Sequence, residues 1–132
     1  MFSHLKFLTL TLLTTTGLLL SERHVQAQTG NGYAMVVLRN PTGGKFNYSV
    51  RWGGGIWYNH SVEGNDSRSH WFRLNSSGAA PNLEVRFHTG QPGVYRTYTL
   101  SWNRVETTTT FDGAAYYTAN YNDIGVWDVT RD

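Results

Sequence analysis

The element that decides the fold is the stretch KFNYSVRW, residues 45–52. Polar and apolar side chains alternate along it, as in a β-strand that is buried on one face and solvated on the other. The apolar positions are Phe46, Tyr48, Val50 and Trp52. Three glycines at 53–55 follow directly, and such a run indicates a reversal of the chain into a second strand.

Two further strands, near 56–62 and 68–74, are expected to extend this hairpin into an antiparallel meander of three strands. In the expected register Tyr48 pairs with His60, and His60 pairs with His70. A slip of one residue would exchange the two faces and bury arginines, so burial specifies the register. The predicted core face comprises both histidines and Phe46, Tyr48, Val50, Trp52, Ile56, Tyr58, Val62, Phe72 and Leu74.

The rest of the chain continues the same pattern, and no window shows sustained helical spacing of apolar residues. We expect eight strands, near 33–39, 45–52, 56–62, 68–74, 83–88, 94–104, 115–121 and 124–130. Short strands separated by turns rich in Gly, Asn and Pro are typical of an all-β fold. The sequence predicts a single antiparallel β-sandwich, with a small β-barrel as the alternative. Because the chain has no cysteine, its aromatic-rich core must hold it together.

The N-terminal segment has the features of a cleavable export signal. Lys6 supplies the positive charge, and an apolar stretch at 7–20 follows. That stretch is shorter than the roughly 20 residues needed to cross a bilayer. Val25 and Ala27 suit the positions before a signal-peptidase cut. We therefore predict a signal peptide at 1–27 and a secreted domain at 28–132, extracellular or periplasmic, with no membrane span.

The meander also carries a resemblance to known proteins. The string VRWGGGIW at 50–57, followed by His70-Trp71 and LEVRF at 83–87, is similar to a group of small secreted bacterial proteins. These carry a V-R-W-G-x-G-x-W strand–turn–strand signature and have no known activity. The resemblance covers roughly residues 36–104. It implies export and β structure, and it implies no substrate or cofactor.

Several function classes are disfavoured by composition and motifs. The formal net charge is only +2, and lysines and arginines do not cluster, so nucleic acid is not an expected partner. The chain lacks a nucleophile elbow, a metalloprotease motif, a P-loop and a thiol. Its few carboxylates lie mostly in predicted turns. We therefore predict a non-enzymatic protein without a cofactor.

The face of the meander opposite the core is the predicted ligand site. It carries two tryptophans among polar residues, the full set being Trp57, Trp71, Arg51, Arg73 and Asn59. Flat aromatic rings stack on sugar faces, while guanidinium and amide groups bond the hydroxyls. The main hypothesis is a binding or structural protein of the envelope or matrix that pairs with another protein chain, and the alternative is a carbohydrate-binding module.

The sequence also predicts a geometry for Trp57. Cross-strand arginines should lie against its ring in a cation–π arrangement and leave it partly accessible. The same meander places His60 beside His70, a spacing that allows two imidazoles to share a metal ion. Two ligands do not make a site, and His88 lies on another strand. We predict no metal, and a site at His60 and His70 is the weaker alternative.

Overall fold

The computed structural model describes residues 32–122 and 124–132, which form nine strands and no helix. The predicted signal peptide and the start of the mature chain at Gln28 lie outside the described residues. The strands are β1 Tyr33–Asn40, β2 Phe46–Trp52, β3 Tyr58–Val62, β4 Asp66–Arg73, β5 Leu83–His88, β6 Tyr95–Leu100, β7 Asn103–Val105, β8 Ala115–Tyr121 and β9 Trp127–Arg131. None of the described segments is a helix that could span a bilayer.

The strands are divided between two sheets. One sheet has four antiparallel strands in the order β3-β2-β5-β6. The other has five, in the order β4-β1-β8-β9, with β7 paired to the first part of β1. All pairs are antiparallel except β1 with β8. The all-β sandwich is confirmed, and the barrel alternative is wrong because the two sheets do not close on each other.

The core lies between the sheets, where alternate side chains of both inner faces meet. The four-stranded sheet contributes Phe46, Val50, Val85 and Phe87, which are at most 5% exposed. Val36, Leu38, Ala115 and Tyr117 from the five-stranded sheet pack against them. Trp127 stacks on Phe87 at a centroid distance of 5.3 Å. Aromatic packing therefore supplies much of the core of this cysteine-free chain.

Strand β4 departs from the predicted meander. The first hairpin is confirmed, since Tyr48 pairs with His60 and Val50 with Tyr58. The second hairpin is wrong, because β4 crosses to the other sheet and pairs along its whole length with β1. Strand β1 is buried from Ala34 to Leu38 and offers eight partners, whereas β3 has only five residues. The longer apolar strand is the better partner for burial and for backbone hydrogen bonds.

A buried asparagine fixes the crossing between the sheets. Asn40, 1% exposed, donates its side-chain amide to the carbonyls of Gly44, Val62 and Glu63. Its Oδ1 accepts from the backbone N–H and the hydroxyl of Thr42. One side chain thus joins the loop after β1 to the end of β3, and it satisfies carbonyls that burial would otherwise leave unpaired.

Other expectations for the meander hold in part. Phe46, Tyr48, Val50, Val62 and Leu74 are buried as predicted. Ile56 and Tyr58 are exposed, and Ile56 lies before β3, which begins only at Tyr58. Phe72 is 39% exposed, and Trp52 is half-buried. The strand expected near 94–104 divides into β6 and β7, which belong to different sheets.

The outer face of the five-stranded sheet carries a second, smaller hydrophobic cluster. Met35 and Val37 of β1 are fully buried there against Val105 and Ala114. Tyr33 and Tyr116 pack around them. Because β1 is covered on both faces, its apolar residues run continuously and do not alternate with polar ones.

Candidate binding cleft

A cleft of about 600 Å³ opens on the outward side of the four-stranded sheet. Its walls come from β2, β3, β5 and β6, and Arg68 of β4 also lines it. The lining is mostly polar and comprises Asn47, Tyr48, Ser49, Asn59, His60, Ser61, Arg68, Arg86, His88 and Tyr95. A space of this volume is within the usual range for small-molecule sites, about 300–1,000 Å³.

Arg86 is one of the two arginines that line the cleft. It lies on β5 opposite Ser49 of β2, so its side chain points outward. The guanidinium carbon is 4.0 Å from the ring centroid of Trp57 and 3.9 Å from that of Tyr95. Two aromatic rings therefore hold the guanidinium by cation–π contacts. Its Nε is buried and has no hydrogen-bond partner among the described residues.

A second arginine beside the cleft is already neutralised. Arg51 pairs across the strands with Glu84, and its Nε donates to a carboxylate oxygen of Glu84. The guanidinium of Arg51 also lies 4.5 Å from the ring centroid of Trp57. Trp57 therefore contacts two guanidinium groups while it remains half-buried. The predicted cation–π contact with Trp57 is confirmed for Arg51. It is wrong for Arg73, the other arginine expected there, because β4 belongs to the other sheet.

The polar wall of the cleft is built from outward positions of β2 and β3. Ser49 donates its hydroxyl proton to Oδ1 of Asn59 at 2.8 Å. This bond uses the amide oxygen of Asn59 and not its amide nitrogen. Asn47 and Ser61 form the next outward pair along the same two strands. Amide and hydroxyl groups both donate and accept hydrogen bonds, so this wall matches ligands that do the same.

A buried Tyr–His pair adjoins the cleft through Tyr48, which is one of the lining residues. The Tyr48 hydroxyl is 2.7 Å from Nε2 of His70. Burial, followed by the charges of His60 and Arg68, lowers the pKa of His70 from 6.5 to about 3. Burial and Arg68 likewise lower the pKa of His60, and burial raises the pKa of Tyr48. Both imidazoles are thus held neutral, and Tyr48 keeps its proton.

His60 and His70 are close to each other, although β4 does not pair with β3 as predicted. Their ring centroids are 4.9 Å apart, but the contact runs between the two sheets and not across a hairpin. Nε2 of His70 is engaged by Tyr48. Within the described residues, no three or more His, Cys, Asp or Glu side chains form a group suited to a metal ion.

The structure brings together only part of the predicted site. Arg51, Trp57 and Asn59 share the outward face of the four-stranded sheet. Trp71 and Arg73 do not join them, because β4 belongs to the other sheet. Trp71 is half exposed there and packs edge-on against Tyr33, with the ring centroids 5.4 Å apart.

Of the residues that line the cleft, the predicted ligand site named only Asn59, and Arg86 and Tyr95 are among those it missed. The alternation of LEVRFH at 83–88 places Arg86 on the outward face. However, the pattern does not show that β5 lies next to β2 or that β6 brings Tyr95 alongside, and those pairings are long-range. Comparison with protein-family models, curated proteins and solved structures gives no match. The resemblance drawn from the V-R-W-G-x-G-x-W signature therefore stays a prediction.

Proposed function

We propose that this chain is a non-enzymatic secreted binding protein whose cleft takes up carbohydrate. The observation that carries the proposal is the cleft on the four-stranded sheet, which combines polar side chains with the ring of Tyr95. The ring of Trp57 is not part of the lining, but it contacts Arg86 of the cleft. Folding does not require this combination, because the hydrophobic core lies on the other face of the sheet. Secretion rests on the predicted signal peptide at 1–27.

The chemistry of the lining suits a ligand rich in hydroxyl groups. Asn47, Asn59 and Ser61 offer donors and acceptors side by side, which matches a sugar hydroxyl that does both. The exposed part of the Trp57 indole and the phenol ring of Tyr95 give flat apolar surface next to them. A ligand with polar edges and apolar faces, such as a pyranose, would use both surfaces.

The same lining favours binding over hydrolysis. Glycosidases need two carboxyl groups about 5–9.5 Å apart, one of them protonated. The residues that line the cleft include no aspartate or glutamate. Glu84 lies nearby, but it is paired with Arg51. The cleft therefore offers recognition groups without the acid–base pair that cleavage of a glycosidic bond requires.

The test is a glycan array probed with residues 28–132 and two tryptophan variants. We expect Trp57→Ala to lose at least about tenfold in affinity for any glycan retained by the wild type, because about 1.4 kcal/mol of stacking corresponds to that factor. Trp71→Ala is the matched control, since Trp71 lies on the other sheet and should bind as the wild type does. The absence of retained glycans, or an equal loss in both variants, would contradict the proposal.

A protein-interaction role is the second candidate, and one observation favours it. Ile56 is 73% exposed and Tyr58 is 60% exposed, where β3 forms an edge of its sheet. Exposed apolar residues at an unpaired edge invite pairing with another chain. Concentration-dependent association in sedimentation experiments, removed by Tyr58→Lys, would favour this candidate over carbohydrate binding.

A further inference from the structure

We propose that the carbohydrate bound in this cleft is an acidic one and that Arg86 binds its carboxylate. The inference rests on the proposed function and adds the chemical class of the ligand. It draws on three features of the cleft: the sign of its charge, the restraint on Arg86, and the unpaired donor of that side chain.

The charged groups of the cleft are all cationic. Arg86 and Arg68 both line it, and no carboxylate contributes to the lining. Glu84, the acid closest in the register, forms an ion pair with Arg51. Among the described residues Arg86 forms no ion pair of its own. A ligand anion would therefore meet uncompensated positive charge.

The position of Arg86 is fixed before any ligand arrives. Trp57 and Tyr95 contact the guanidinium at centroid distances of 4.0 and 3.9 Å, which limits the rotation of a long side chain. Ring contacts use the faces of a guanidinium, whereas hydrogen bonds use its N–H groups in the plane. The two aromatic contacts therefore leave the terminal N–H groups of Arg86 for a ligand, whereas its Nε is buried.

The guanidinium of Arg86 identifies the kind of group that fits. Its Nε is buried and lacks a hydrogen-bond partner among the described residues, so the donors within reach of a ligand are the two terminal nitrogens, which form no hydrogen bond with those residues either. A carboxylate accepts two parallel hydrogen bonds from one guanidinium and would bind these two nitrogens. A single neutral hydroxyl offers one oxygen and no charge. The geometry thus points to a uronate-type sugar unit.

The test uses acidic oligosaccharides and their neutral counterparts. Hexamers of galacturonate, mannuronate and glucuronate are titrated calorimetrically into residues 28–132, each beside a portion whose carboxylates have been reduced to primary alcohols. Reduction keeps the ring and its other hydroxyls, so only the carboxylate is compared. We expect at least one acidic hexamer to bind ten times or more tightly than its reduced form, with the difference shrinking at higher salt.

Three variants test whether Arg86 is the residue that causes the preference for the acidic hexamer. Arg86→Gln should remove the preference for the acidic form and leave weak binding of both forms. Arg86→Lys keeps the charge but loses the bidentate geometry, and it should retain only part of the preference. Arg73→Gln removes the same charge from the other sheet and should behave as the wild type does. Near-ultraviolet circular dichroism confirms that each variant is folded.

The outcomes separate this inference from the proposed function. Equal affinity for acidic and reduced hexamers, or binding of neutral array glycans alone, would show that the ligand's carboxylate is not recognised. The proposal of carbohydrate binding would still stand. A preference that survives in folded Arg86→Gln would overturn the role of Arg86. If neither the hexamers nor the array glycans bind, both proposals are wrong.

Discussion

Lowering the pH from 7 to 4.5 should destabilise the protein through His70. This side chain is 6% exposed and bonded to the Tyr48 hydroxyl, with His60 and Arg68 nearby. A protonated imidazole at this position would lose its hydration and meet positive charge. Burial, His60 and Arg68 therefore lower its pKa in the folded state from 6.5 to about 3.

The sign and size of the effect follow from these two pKa values. Between pH 6.5 and pH 3 the unfolded chain binds a proton at His70 that the folded chain does not, so stability falls as the pH falls. Integrated from pH 7 to pH 4.5, the difference is about 2.5 kcal/mol. For a domain of this size that corresponds to a decrease in Tm on the order of 10–20 °C.

Urea unfolding followed by tryptophan fluorescence at several pH values measures this dependence. His70→Gln is the matched variant, because its amide can accept the Tyr48 hydroxyl proton and has no charge to gain. The difference in slope between the two proteins then measures the proton uptake of His70 together with its charge coupling to His60. Equal pH dependence of the wild type and His70→Gln would refute the reasoning.

Two further predictions concern the crossing between the sheets. Asn40→Ala removes three donated hydrogen bonds and should lower the free energy of unfolding by about 3 kcal/mol, whereas Asn47→Ala, at an exposed position, should change it little. A small effect at Asn40 in urea unfolding would show that the loops are held by other contacts. A Cβ at Gly64 would lie 2.4 Å from the Gly43 carbonyl oxygen, so Gly64→Ala should cost on the order of 1–3 kcal/mol. Gly54→Ala, which meets open space, serves as the control, and equal Tm values for the two variants would contradict the packing of these loops.

Periodicity of two was enough to predict the class of fold and most strand positions. The alternation at 45–52 gave the inward residues of β2 correctly, and the glycines at 53–55 gave the hairpin to β3 with its register. These are local properties, since a strand's two faces and a short turn are determined by residues adjacent in the sequence. The sequence also placed Arg51, Trp57 and Asn59 on one outward face.

The tertiary structure alone decided which strands became neighbours. Turn residues at 63–65 are compatible with a hairpin and equally with a crossing to the other sheet. The crossing is favoured because β1, an apolar strand buried on both faces, needs a full-length partner on that side. That choice moved Trp71 and Arg73 away from the predicted site. The pairing of β5 with β2 and β6 then brought Arg86 between Trp57 and Tyr95, and such long-range contacts depend on burial across the whole domain.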